Sequence, residues 1–276
     1  MNFGEKLISD LETQRRSPTE SIYLAAVQLD KDLLSDALEP DCDPWMIRAA
    51  VSGAVSCFTY IQNQHLYVGN IGDAAGLLIQ QAGDKKWIPK KMSSVHSGQN
   101  QREVQRVLSN HPKNESRSVL RNQRLLGYLS PLRAFGDCRF KMTLSELTSI
   151  EDRNLDLDND GQPDKLVLPF YRTPPYLSAK PQIRYHRLGV TDRAIVLASD
   201  GLWDVLGHAD VAHLIGAYLE RDPEVFEANA ATMLIRRAIG EGWDGYDEIE
   251  VRRSLAHSPE ESRMYRDDIT VQVLFL

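Results

Sequence analysis

The chain has 276 residues, a formal net charge of −7, 42% hydrophobic residues and 26% charged ones. That length suits one large domain or two small ones, and the balance is that of an ordinary globular protein, which excludes a disordered or collagen-like chain. The acidic balance argues against a general nucleic-acid binder and no apolar run reaches the length of a membrane span; three scattered cysteines (Cys42, Cys57, Cys138) with no CxxC pair argue against a zinc knuckle or a redox motif.

Met1 to Lys6 already carries an acidic residue, Glu5, and reads neither as a secretory signal nor as an Arg-rich transit peptide. From Ser21 to Leu38 the apolar residues Ile22, Ala25, Leu29, Leu33 and Leu34 recur at helical spacing and predict a long amphipathic helix. Glu39 to Trp45 holds two prolines and reads as a loop. Between Ser52 and Gln80 short apolar, β-branched runs flank two turn signals and predict three antiparallel strands near 53–61, 65–70 and 75–80. Gly98 to Asn110 predicts a helix. Residues 139–180 hold acidic and Pro-rich stretches and read as a surface insertion. Ala194 to Ala198 is a continuous apolar run of strand length that stops at Ser199-Asp200-Gly201. Helical patterns follow near His208 and over Val225 to Ile239, and Ile269 to Leu276 alternates as a final strand. Strands in the middle and at the end with helices between them predict an α+β layered fold in a single domain, 1–276, whose first 50 residues are helical.

Two positions carry candidate chemistry. Asp200 sits where a buried strand ends, with Gly201 behind it to permit an unusual backbone turn. Asp267 and Asp268 immediately precede the last strand. Carboxylates at the ends of neighbouring strands can converge on a hard divalent cation such as Mg2+ or Mn2+. The same positions equally suit turn formers or helix N-caps, so spacing alone leaves both readings open.

Four segments resemble, in order and spacing, the signature segments of the protein phosphatase 2C family. They are Ser52-Gly53-Ala54 with Leu66 to Asp73, Ser130 to Asp137, Val196 to Asp204, and Arg266 to Val271. Gln99 to Glu103, His111-Pro112-Lys113, Arg124 to Gly127, Tyr171 to Leu177 and His186-Arg187-Leu188 resemble the pyruvate dehydrogenase phosphatase branch of that family. The resemblance implies a β-sandwich of antiparallel sheets flanked by helices and a two-metal centre using Mg2+ or Mn2+. It also implies hydrolysis of phosphoserine in a protein substrate, the pyruvate dehydrogenase complex, in the mitochondrial matrix. Residue by residue, it implies that Asp200 and Asp267 are metal ligands, and that Asp73, Asp137, Gly201 and Asp268 support the site.

The chain departs from that pattern. The family's first segment, whose Asp-Gly-His aspartate bridges two metals, has no counterpart here, and residues 1–50 contain no Asp-Gly. The aspartate of the family's Asp-His-Asn falls at Val95, and the arginine after its Gly-Asp-Ser falls at Ala75. Without a shared counter-charge two cations repel. The expectation is weak metal binding and poor phosphatase activity in this chain, as a fragment or as a catalytically inactive regulatory protein of the same fold. Asp156, Asp158, Asp160 and Gly161 match the opening of a calcium-binding loop, but its twelfth position is Val167, so a solvated acidic loop is expected instead. His96 and His111 are expected at the surface or at helix ends.

Overall fold

The computed structural model describes residues 3–12, 16–84, 86–153, 165–221, 229–242, 245–258, 261 and 266–276. The acidic loop Asp156 to Gly161 and the start of the helix expected from Val225 lie outside the described residues. In chain order the helices are α1 (Phe3–Glu12), α2 (Pro18–Asp36), α3 (Pro44–Val51), α4 (Gln101–Ser109), α5 (Ser116–Val119), α6 (Leu144–Glu151), α7 (Asp200–Trp203), α8 (His208–Glu220), α9 (Ala230–Ile239) and α10 (Glu248–Ala256). The strands begin with β1 (Gly53–Ala54), β2 (Ser56–Gln62), β3 (His65–Ile71), β4 (Ala75–Gln81), β5 (Trp87–Lys91), β6 (Leu120–Arg121) and β7 (Arg124–Leu125). They continue with β8 (Phe135–Gly136), β9 (Gln182–Arg187), β10 (Asp192–Ala198), β11 (Glu241–Gly242), β12 (Gly245–Tyr246) and β13 (Val271–Phe275).

The chain falls into two units. One comprises Met1–Ser56, Ile71–Asp73 and Val95–Ile183; the other comprises Cys57–Asn70, Ala74–Ser94 and Arg184–Leu276. The second unit carries the sandwich. Its four-stranded antiparallel sheet runs β13-β10-β4-β5, and a three-stranded sheet runs β2-β3-β9. Successive residues of a strand face opposite sides. Leu77, Ile79, Ala194 and Val196 therefore pack beneath α8 and α9 with Val211, Ile215 and Leu234. Leu78, Ile195 and Leu197 turn to the other side and meet Leu66 and Val68 of β3. Burial on both faces is why 194–198 reads as an unbroken apolar run rather than an alternation. Each buried Leu, Ile or Val side chain contributes about 1.5–3 kcal/mol. The α+β class and the antiparallel sheets flanked by helices are as expected from the sequence.

In the first unit α2 is capped by Ser17, whose hydroxyl accepts from the Glu20 amide, with Pro18 in the first turn. Two cores form around α2, α3, α4 and α6. The 139–180 stretch differs from its reading as a surface insertion. It contains α6, closed by a Thr143/Glu146 capping box, and buries Leu147, Ile150, Leu166, Leu168, Tyr176 and Leu177. Its breakers fall in the connections while its apolar residues serve these cores. The 39–45 loop likewise ends early, because Asp43 caps α3 and Pro44 starts it.

Candidate metal site

In the second unit, β10 ends at Ala198 and α7 begins at Asp200. One hydroxyl ties this corner to the segment before β13. Ser199 Oγ donates to the Asp268 carbonyl at 3.0 Å and accepts from the Thr270 amide at 3.0 Å, while the Ser199 amide donates to the Thr270 carbonyl at 3.1 Å. This double staple holds Asp200 beside Asp267. The Asp200 carboxyl is half-buried and pushed above the usual carboxylate range, first by burial and then by the like charges of Asp267 and Asp204. Its Oδ1 accepts from the Gly201 amide at 3.0 Å, and Asp267 Oδ1 accepts from the Asp268 amide at 2.7 Å. Negative charge is thus concentrated at a strand end, on oxygen donors of the kind a hard divalent cation prefers. Among the described residues no group of three or more His, Cys, Asp or Glu side chains is arranged to hold a metal. Asp200 and Asp267 would supply two oxygen ligands to such a cation, fewer than a full set.

One expectation changes here. Gly201 is helical and not at positive φ; a Cβ there would lie 2.6 Å from the Asp268 carbonyl oxygen, so its role is to admit that backbone. Asp268 acts through this same carbonyl. Below the corner, Trp203 Nε1 donates to the carbonyls of Ala75 and Ala198, and its ring stacks on His208.

Asp73 and Asp137 lie in the first unit. Gly53 pairs with Gly136 and Ala54 with Phe135 in the β1–β8 ladder, which joins two of the motif segments recognised in the sequence. Gly136 sits at φ 61°, where a Cβ would be 2.1 Å from the Ser52 carbonyl. A Cβ on Gly53 would be 1.9 Å from Asp137 Oδ2, so glycine is what makes room for that carboxyl. Burial pushes the Asp137 carboxyl up to about 6, opposed by Lys141 and Arg139 and reinforced by Asp30. Lys141 Nζ donates to Asp30 Oδ1 at 2.6 Å and to the Ala134 carbonyl, and the same Asp30 oxygen accepts from the Gly136 amide at 2.9 Å. Nothing in the sequence singled out this Asp30–Lys141 pair. Arg133, within the same motif, is held in both forks of Glu103 (Nε–Oε2 2.9 Å, Nη2–Oε1 2.5 Å), and Arg106 joins at 2.9 Å. The Arg133 guanidinium also donates to the Lys180 carbonyl at 2.7 Å, while Arg106 Nη2 donates to the Leu132 carbonyl at 2.9 Å.

Asp73 is half-buried at the turn after β3, beside Gly72 at φ 103°. His96 braces that turn: its Nδ1 accepts from the Gly72 amide at 3.1 Å and its amide donates to the Gly72 carbonyl at 2.9 Å. His111 stands at the end of α4 as expected but is buried, its ring stacked on Tyr176, and His96, which precedes α4, is buried rather than at the surface. Burial, then the charge of Arg133, lowers His96 to about 4. Between pH 6.5 and 4 the unfolded chain binds a proton that the folded chain refuses. The stabilisation is therefore complete above pH 6.5 and is lost as pH falls through this window, by about 2–3 kcal/mol. Thermal melts from pH 7 to 4.5 should show the slope, and it should flatten in His96→Asn.

A comparison with family models matches residues 6–243 to "Protein phosphatase 2C". The mitochondrial [pyruvate dehydrogenase [acetyl-transferring]]-phosphatase 1 of Bos taurus is 36% identical over 99% of this chain and 56% of its own length. The human mitochondrial phosphatase 2 of the same name is 35% identical over 93% of this chain and 54% of its own length. The chain thus spans about half the length of the curated relatives it matches. Among solved structures, a C. elegans sex determining protein superposes with a TM-score of 0.61 at 15% identity, covering 99% of this chain and 51% of that one. The serine-threonine phosphatase 2C of Toxoplasma gondii gives 0.57 at 17% identity, over 98% and 77%. At these identities the likeness is one of fold.

Proposed function

We infer that this chain, which belongs to the protein phosphatase 2C family, is built for metal-dependent hydrolysis of phosphoserine or phosphothreonine in proteins, with the pyruvate dehydrogenase complex as substrate and the mitochondrial matrix as its location. The observation that carries the reading is the Ser199 staple, which sets Asp200 beside Asp267 at the joined ends of β10 and β13. Relatives named for pyruvate dehydrogenase at 35–36% identity support the substrate.

In this proposal Asp200 and Asp267 hold Mg2+ or Mn2+. When bound, the cation neutralises phosphate charge and makes water a better nucleophile near neutral pH. Ser199, Gly201 and the Asp268 backbone orient the two carboxylates. Asp137 and Asp73 support the backbone of their own motif segments, within a single domain of the family. A second reading, a catalytically inactive regulatory protein of the same fold, is favoured by one observation: among the described residues no third ligand joins the pair.

The two readings part in one assay. Release of phosphate from a phosphoserine peptide in millimolar Mn2+ should be slow but measurable and should vanish with EDTA. Activity unchanged by EDTA would refute the metal-dependent reading, and no release at any Mn2+ concentration would leave the binding protein.

A further inference from the structure

In the second unit the end strands of the two sheets, β5 and β9, meet through a line of three side chains. Lys90 of β5 lies opposite Leu78 in the register, and so on the side of its sheet that faces the other one. There its Nζ stands 2.9 Å from Nδ1 of His186, on β9. His186 Nε2 stands 2.9 Å from Asp192 Oδ2. Asp192 is 5% exposed, and its carboxylate also accepts from Gln80 Nε2 at 2.7 Å and from the Gly189 amide at 2.8 Å.

The two contacts on the ring fix one tautomer. A lysine ammonium donates and an ionised carboxylate accepts, so Nε2 carries the hydrogen and Nδ1 turns its lone pair to Lys90. A buried carboxylate thus holds an imidazole, and the imidazole faces an amine that is itself exposed. A base oriented by a third group, within hydrogen-bond reach of an amine, is the arrangement that activates a nucleophile. The surroundings select the reagent. Arg184 lies on the His186 side of β9 and donates to the Lys91 carbonyl at 3.1 Å and to Ser94 Oγ at 3.0 Å. A molecule approaching Lys90 therefore meets the charges of Lys90, Lys91 and Arg184, a field that favours an anion.

We propose that Lys90 is a nucleophilic amine that takes an acyl group from an anionic thioester, with His186 as its general base. The uncharged amine adds to the thioester carbonyl and forms the C–N bond. His186 Nδ1 takes the surplus proton from that nitrogen, and Asp192 stabilises the imidazolium. The C–S bond then breaks, and the imidazolium gives the proton to the departing thiolate. The products are an amide on Lys90 and a free thiol; His186 ends as it began, and nothing is oxidised or reduced. Acylation removes a cation from the joint between β5 and β9. This inference is independent of the phosphatase reading.

Incubation of the full chain with acetyl coenzyme A, read by peptide mass spectrometry, tests it against Lys86 and Lys91, two exposed neighbours in the same chain. Lys90 should acetylate on the order of a hundredfold faster than either, the low end of what a positioned general base supplies. This comparison needs no variant, and in urea the three lysines should react alike. His186→Ala should bring Lys90 down to the rate of Lys91, and added imidazole should restore it, which a purely structural role would not allow. Salt should slow the reaction of Lys90 with acetyl coenzyme A but not with the uncharged thioester N,S-diacetylcysteamine. Equal rates at Lys90 and Lys91 in the folded wild type would overturn the proposal and leave the three residues as a clamp between sheets. A fast Lys90 that His186→Ala leaves fast would overturn it too, by assigning the rate to exposure alone. Equal salt dependence for the two thioesters would overturn the preference for an anionic reagent.

Discussion

Lys141→Met is expected to destabilise the folded chain by about 3–5 kcal/mol, the usual result of removing one partner from a buried ion pair. Lys141 and Asp30 meet at 2.6 Å with side chains almost fully enclosed. Asp30 projects from α2 and also receives the Gly136 amide, so it fixes the backbone of the β1–β8 ladder. Methionine preserves the apolar stem of the lysine but leaves Asp30 and the neighbouring Asp137 without their main counter-charge. Asp137 already titrates near 6, with Lys141 as the largest influence holding it down. In the variant its pKa rises further, and a carboxyl whose folded pKa exceeds its unfolded value destabilises the fold above the unfolded value. The deficit should be largest at neutral pH and should shrink as pH falls below about 6. Urea unfolding at pH 7 and pH 5 reads both effects. The double variant Asp30→Asn/Lys141→Met should recover much of the loss, because it removes the stranded charge. A double variant as unstable as the single one would show that packing, not charge, is the cause.

How much of this was legible in the sequence follows from what each element presents along the chain. β10, α8 and β13 announce themselves by apolar period, and the motif at Ser199 to Asp204 places the candidate ligand. β5 was hidden because the proline and lysines that guard a sheet edge imitate a loop. β9, Gln182–Arg187, was hidden because it flanks a three-stranded sheet and exposes Arg184, Tyr185 and Arg187. Asp30 has no local sign in the sequence, since the residue that neutralises it stands 111 positions later. His96 and His111 carry no local sign of burial. Gly201 was singled out for an unusual turn that it does not make: the constraint is the Asp268 carbonyl, 2.6 Å from where a Cβ would stand, a contact between segments that are distant in sequence. Ser199, the residue that brings Asp200 to Asp267, is a small polar side chain whose two partners are visible only after folding.

Asp200→Asn should act in the opposite sense to Lys141→Met, and that opposition separates a functional carboxylate from a structural one. Without a cation, Asp200 is held in an unfavourable place, desolvated and faced by Asp267 and Asp204. Asparagine keeps the oxygen that accepts from the Gly201 amide and removes the charge. The variant should therefore melt at the same temperature as the wild type or higher in EDTA. It should also lose the rise in melting temperature that millimolar Mn2+ gives the wild type, and its phosphate release should drop on the order of a hundredfold or more, the several kcal/mol that a bound cation supplies to a developing phosphate charge. Asp267→Asn should reproduce the loss of the Mn2+ shift, and the two together should cost little more than either alone, as expected for residues that act on one ion. The melting shift reads metal binding without requiring turnover, so it holds even for a chain with half a site. An Asp200→Asn variant that is less stable in EDTA and still shifted by Mn2+ would make Asp200 a structural turn residue and place the cation elsewhere.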